Sequence, residues 1–128
     1  MNKASLPDDI RRFVLTSVPS VPYIESLLLL RREAGSTWSA SQLARRIYVS
    51  EPQAAQLLAA LAASGIAAAG AGEAIGYRYA PSPQLAGLLD RLALHYTSDL
   101  LAITGLIHSG VNRRAQQFAD AFRWRKDT

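Results

Sequence analysis

Two serines eleven residues apart, each followed at the third position by glutamine, fix where helices begin in the middle of this chain: Ser39-Ala40-Ser41-Gln42 and Ser50-Glu51-Pro52-Gln53. In Ser-x-x-Gln the serine hydroxyl accepts from a free amide of the first turn, while the glutamine side chain reaches back to the serine's own amide. The first helix is thereby confined to about Ala40–Ile47. The second has Pro52 where a missing N–H does no harm and extends to Gly65. A short helix, a tight turn and a longer helix make a helix-turn-helix.

The flanking elements follow from the same chemistry. Ser5, Pro7, Asp8 and Asp9 start an N-terminal helix, because carboxylates favour the positive end of the helix dipole, and Ile10, Phe13 and Val14 share one face of it. Pro19 and Pro22 break this element. Ser20 then caps a helix whose Ile24, Leu27, Leu28 and Leu30 form a broad apolar side, with Arg31 and Arg32 near its end and Gly35 closing it. Thr37-Trp38-Ser39 is long enough for a single bridge strand, with Trp38 covering one end of the core. In the second motif helix Ala54, Leu57, Leu58 and Leu61 recur at three and four residues and face inward.

After Gly65, residues 66–69 read as a strand, 70–72 as a turn and 75–80 as the returning strand. Ile75, Tyr77 and Tyr79 point one way; Gly76, Arg78 and Ala80 point the other. Ser82-Pro83 starts a further helix, and Leu85, Leu88, Leu89, Leu92, Tyr96, Leu100, Ile103, Leu106 and Ile107 carry its apolar stripe to His108, about 39 Å at ~1.5 Å per residue. Thr97, Ser98 and Asp99 offer a break within it. Ser109-Gly110 ends the element, and a last amphipathic helix from Val111 places Phe118, Ala121 and Phe122 on one side.

Composition narrows the function classes. At 128 residues, 49% of them hydrophobic and many of those alanine, the chain has material for one core and a mostly helical fold. The near-apolar stretch 54–71 is interrupted by Gln56, Ser64, Gly65 and Gly70, which suits a helix plus a strand better than a membrane span. No charged leader with an apolar run opens the sequence, so the expectation is a cytoplasmic protein without membrane contact. With no cysteine and only His95 and His108, no metal or cofactor is expected. Asp90 and Asp99 lack a paired carboxylate, and the glycines at 70, 72 and 76 lack the lysine of a phosphate loop, so the expectation is not an enzyme. The net charge of +4 is concentrated at the C-terminus, where residues 109–128 carry five basic and two acidic groups.

On these features, residues 21–81 resemble the winged helix-turn-helix domains of bacterial transcriptional regulators, including the MarR-like and related groups. The implied fold class is mainly α with a small β-hairpin wing. Residues 1–81 then form a winged-helix domain including an N-terminal helix, and residues 82–128 form a helical extension for dimerisation. In such domains the second motif helix enters the major groove and the wing approaches a phosphate strand. The resemblance implies a regulator that binds double-stranded DNA, with Ser50, Gln53 and Gln56 in the groove and Arg78 on the wing.

The residue chemistry bears on each of these roles. Glutamine makes a paired contact with adenine, and a serine hydroxyl or helix-start amide binds phosphate. Arg45, Arg46 and Arg78 are the cations within the motif, and clamping phosphates is the role open to them. Residues 51–64 contain no lysine or arginine, so one copy binds poorly; the stripe of residues 85–107 either folds over its own domain or, as its length favours, pairs two copies into a homodimer that doubles the contacts, to which Arg113, Arg114, Arg123, Arg125 and Lys126 add if they fold beside the groove. The same lack of cations keeps a second reading open: a winged-helix module that presents its Ala-rich helix to a protein partner without direct DNA binding. A third assigns RNA or an acidic protein to the basic tail, with the motif as scaffold.

Overall fold

The computed structural model describes residues 6–70 and 76–110. Helix α1 (Asp8–Ser17) leads through Pro19 into α2 (Val21–Arg32), and the two are bent by 118° relative to one another. Then follow α3 (Ala40–Ile47), α4 (Glu51–Ala63), strands β1 (Ala67–Ala69) and β2 (Tyr77–Tyr79), α5 (Pro83–Ser98) and α6 (Leu100–Gly110). The chain is mainly helical with one small antiparallel sheet, and among the described residues no single helix is long and apolar enough to cross a membrane.

Ser5 lies outside the described residues and α1 starts at Pro7 without a side-chain cap bond, whereas the other expected serine caps are in place. Ser20, Ser39, Ser50 and Ser82 each accept from the amide three residues on. Both motif helices close through backbone geometry. After α4, Ile66 N–H reaches Leu61 O at 2.9 Å and Gly65 N–H reaches Ala62 O at 3.1 Å, with Gly65 at φ +79. This is the Schellman pattern, and the buried pair Leu61 and Ile66 is its usual hydrophobic companion. After α3 the left-handed residue is Tyr48, at φ 62 and ψ 51. Gly35, expected to close α2, holds no positive φ; the helix ends instead on Glu33, whose N–H bonds Leu29 O.

Strands β1 and β2 pair in the register Ala67 to Tyr79, Ala68 to Arg78 and Ala69 to Tyr77. The free edge of β2 is taken by Trp38, which exchanges both backbone bonds with Tyr77 at 2.7 and 2.8 Å. The segment before α3 is thus tied to the strand that follows the hairpin turn.

One apolar cluster spans the described elements. Ile10 and Val14 of α1, Ile24, Leu27 and Leu30 of α2, and Leu43 of α3 are buried in it with the expected inward set of α4, Ala54, Leu57, Leu58 and Leu61. Leu89 and Leu92 of α5 and Ile103 and Ile107 of α6 belong to the same cluster, so part of the C-terminal stripe is consumed within one chain. Two ion pairs fasten α5 to its neighbours: Arg31 of α2 to Asp90 at 2.9 Å, and Arg91 to Asp9 of α1. The Arg91 guanidinium holds the Asp9 carboxyl below its ordinary range. The long stripe is interrupted at Asp99, where φ −127 and ψ 41 leave the helical region. Before it, Thr97 and Ser98 turn their hydroxyls back onto the carbonyls of Ala93 and Leu94, a habit that bends helices.

Candidate functional site

The exposed side of α4 is displayed by the burial of the opposite one. With Ala54, Leu57, Leu58 and Leu61 turned inward, Glu51, Gln53, Ala55, Gln56 and Ala59 face solvent. The two Ser-x-x-Gln starts differ in one respect that their sequences conceal. At Ser39 the capping box is complete, with Gln42 Oε1 accepting from Ser39 N–H at 2.9 Å and Ser39 Oγ accepting from Gln42 N–H at 3.1 Å. At Ser50 only the serine half forms, at 3.2 Å from Gln53 N–H. The Gln53 amide is therefore not engaged in the cap and points its donors and acceptor to solvent from the first turn of α4. Gln56, one turn on, is exposed as well.

The three motif arginines have different surroundings. Arg45 and Arg78 are exposed and make no ion pair or hydrogen bond through their side chains among the described residues. Alternation along β2 turns Arg78 outward while Tyr77 and Tyr79 are half-buried, so these rings are packing residues. Arg46 is engaged twice over. Its Nη2 lies 2.6 Å from Glu33 Oε2, and its guanidinium stands over the Trp38 ring, 5.3 Å from the centroid. The pair pulls the Glu33 carboxyl below its ordinary pKa and raises that of Arg46. Arg45 and Arg46 share a hollow of about 450 Å³ with Glu33, Ser36, Thr37, Trp38 and Gln42. No side-chain hydrogen bond or ion pair among the described residues links Gln53, Gln56 or Arg78 to that hollow.

The partnership of Glu33 with Arg46 escapes sequence reasoning because it closes a thirteen-residue loop across the turn between α2 and α3. The arginines proposed to support binding from the C-terminus, and the helix from Val111, lie outside the described residues. Among those that are described, no three of His, Cys, Asp and Glu come together as a metal site. His95 Nδ1 instead meets Asp99 Oδ2 at 3.2 Å, across the break between α5 and α6.

Comparisons with protein-family models, curated proteins and solved structures return no match.

Proposed function

We propose that this chain is a DNA-binding regulator of winged-helix type that acts as a dimer. The observation that carries the reading is the exposed edge of α4, on which Gln53 is released from its cap and Gln56 is free, flanked in the chain by the exposed and unpaired Arg45 and Arg78. A helix that buries four residues on one side and offers amides on the other has the groups needed to read adenine edges, and Ser50 at its start supplies a hydroxyl near phosphate. The backbone exchange between Trp38 and Tyr77 supports the winged-helix assignment, because it ties the hairpin to the segment that introduces α3.

Dimerisation enters for an energetic reason. The two unpaired arginines of the motif, Arg45 and Arg78, release few counterions, and doubling them raises affinity and its salt dependence together. Leu100 and Leu101 of α6, at 45% and 86% exposure, are the apolar groups we assign to that contact.

A second reading, a module that presents α4 to another protein, is favoured by one feature: Glu51 is the sole charged side chain on that helix, and Arg46 beside it is occupied by Glu33. A gel-shift titration of random duplex at low and moderate salt separates the two. The DNA reading predicts retardation at low salt that weakens steeply as salt rises; no retardation at low salt favours the protein module.

A further inference from the structure

The hollow of about 450 Å³ between the end of α2 and α3 holds more hydrogen-bond donors than the fold uses. Arg45 and the hydroxyls of Ser36 and Thr37 line it, exposed and without a side-chain hydrogen bond among the described residues. Gln42 adds a further donor: its Oε1 is turned onto the Ser39 N–H, which leaves the Nε2 hydrogens unspent. The one carboxylate in the lining is Glu33, and Arg46 takes both of its oxygens, at 2.6 and 3.4 Å. That pair cancels itself, so Arg45 leaves the hollow with one positive charge in excess. A hollow of donors with a cation to spare suits a ligand made of acceptors.

Arg46 meets Glu33 through two nitrogens, the paired geometry in which a guanidinium also binds phosphate. Both side chains are partly open to solvent, at 47% and 35%, so the pair adds little to stability and exchanges readily. The Trp38 ring, 5.3 Å from the guanidinium, holds Arg46 at the wall of the hollow whether or not the carboxylate stays. We infer that the hollow binds a phosphate group, on Arg45, Gln42 and the hydroxyls of Ser36 and Thr37, and that Glu33 is its internal competitor, occupying Arg46 until phosphate displaces it. Phosphate is chosen over a carboxylate because its tetrahedral oxygens spread to donors on α3 and on the segment before it, whereas a planar carboxylate on Arg46 repeats the contact Glu33 already makes. The phosphate belongs either to the backbone of a duplex or to a small phosphorylated molecule. In the first case the inference rests on the DNA reading above and deepens it, with Glu33 as a brake on phosphate contact by α3.

Two probes test this on the full chain. In one, amide cross-peaks are followed by NMR as inorganic phosphate is added, with acetate at equal ionic strength as the control. In the other, a labelled random duplex is titrated by fluorescence anisotropy at several salt concentrations. A small phosphorylated ligand as the source predicts selective shifts at Ser36, Thr37, Gln42 and Arg45 with phosphate; a duplex as the source predicts that only the second probe responds. In the responding arm Arg45→Ala weakens binding about tenfold. Glu33→Gln, which keeps the side chain's size and removes its charge, strengthens it several-fold, a gain that misfolding does not produce. For the duplex, Glu33→Gln also steepens the slope of log K against log salt by about 0.9 for each Arg46 set free. Affinity for both probes that is unchanged or reduced in Glu33→Gln overturns the inference. Shifts that acetate reproduces are adventitious anion binding, and together with an unmoved duplex slope they overturn it as well. Duplex binding that responds to Arg78→Ala but not to Glu33→Gln, without phosphate shifts, removes the hollow and leaves the DNA reading in place; phosphate shifts in the hollow with no duplex binding do the reverse.

Discussion

Gly76 has no room for a side chain. At φ +150, an added Cβ would lie 2.6 Å from the Trp38 carbonyl oxygen and 2.8 Å from Thr37 Cγ2, on the backbone that pairs with β2. Gly76→Ala is therefore expected to lower stability by roughly 2 kcal/mol, read as a shift in the urea midpoint; an unmoved midpoint would mean that the bridge is not held as described. Glu33 makes a different kind of prediction. Its pKa is lowered in the fold by Arg46, so its contribution is fully present above the unfolded value and is lost as pH falls through the folded one. The stability gap between the wild type and Glu33→Gln should be open at neutral pH and close at acid pH below the ordinary carboxylate range. Neither residue announces its role in the sequence. Gly76 stands among other glycines of a turn, and the partner of Glu33 is visible only once α2 and α3 are set at their angle.

At the scale of elements, much of the fold was legible because serine hydroxyls and prolines mark helix starts through local bonds. Ala40–Ile47 is the span expected from Ser39, and the buried side of α4 is the one its leucine spacing indicates. Ends were harder to read. Gly35 looks like a stop and is not one, while Tyr48, a bulky aromatic, takes the left-handed position that glycine usually fills. The two caps also look alike in sequence but differ in completeness. Gln42→Ala removes the side chain that accepts from the Ser39 N–H and should cost about 0.5–1 kcal/mol, with Gln53→Ala costing less, as compared by thermal melts. Equal losses would indicate that the Gln53 amide does take part in its cap, and would weaken the case for that side chain as a reader of bases.

For the whole molecule, the leucine stripe of residues 85–107 posed a question that periodicity leaves open, since a helix face looks the same whether it packs on its own chain or on another. Leu89, Leu92, Ile103 and Ile107 join the core, and the ion pairs of Asp90 and Arg91 fasten α5 to α2 and α1. Truncation of the fully buried Leu92 to alanine is thus expected to destabilise the isolated chain by about 2–5 kcal/mol at any protein concentration, in a denaturant titration. A loss that vanishes on dilution would place Leu92 in an interface between chains instead. Leu100 and Leu101, directly after the break at Asp99, stay exposed, and they are the groups proposed for such an interface.

The most direct measurement is the salt dependence of duplex binding by the wild type and by the double variant Arg45→Ala, Arg78→Ala. If these exposed guanidiniums meet phosphates, affinity falls and the slope of log K against log salt becomes shallower by about 0.9 for each guanidinium lost from the complex, two per substituted position in a dimer. Duplex binding with an unchanged slope, or no binding even at low salt, would contradict the assignment of α4 and the hairpin to nucleic acid.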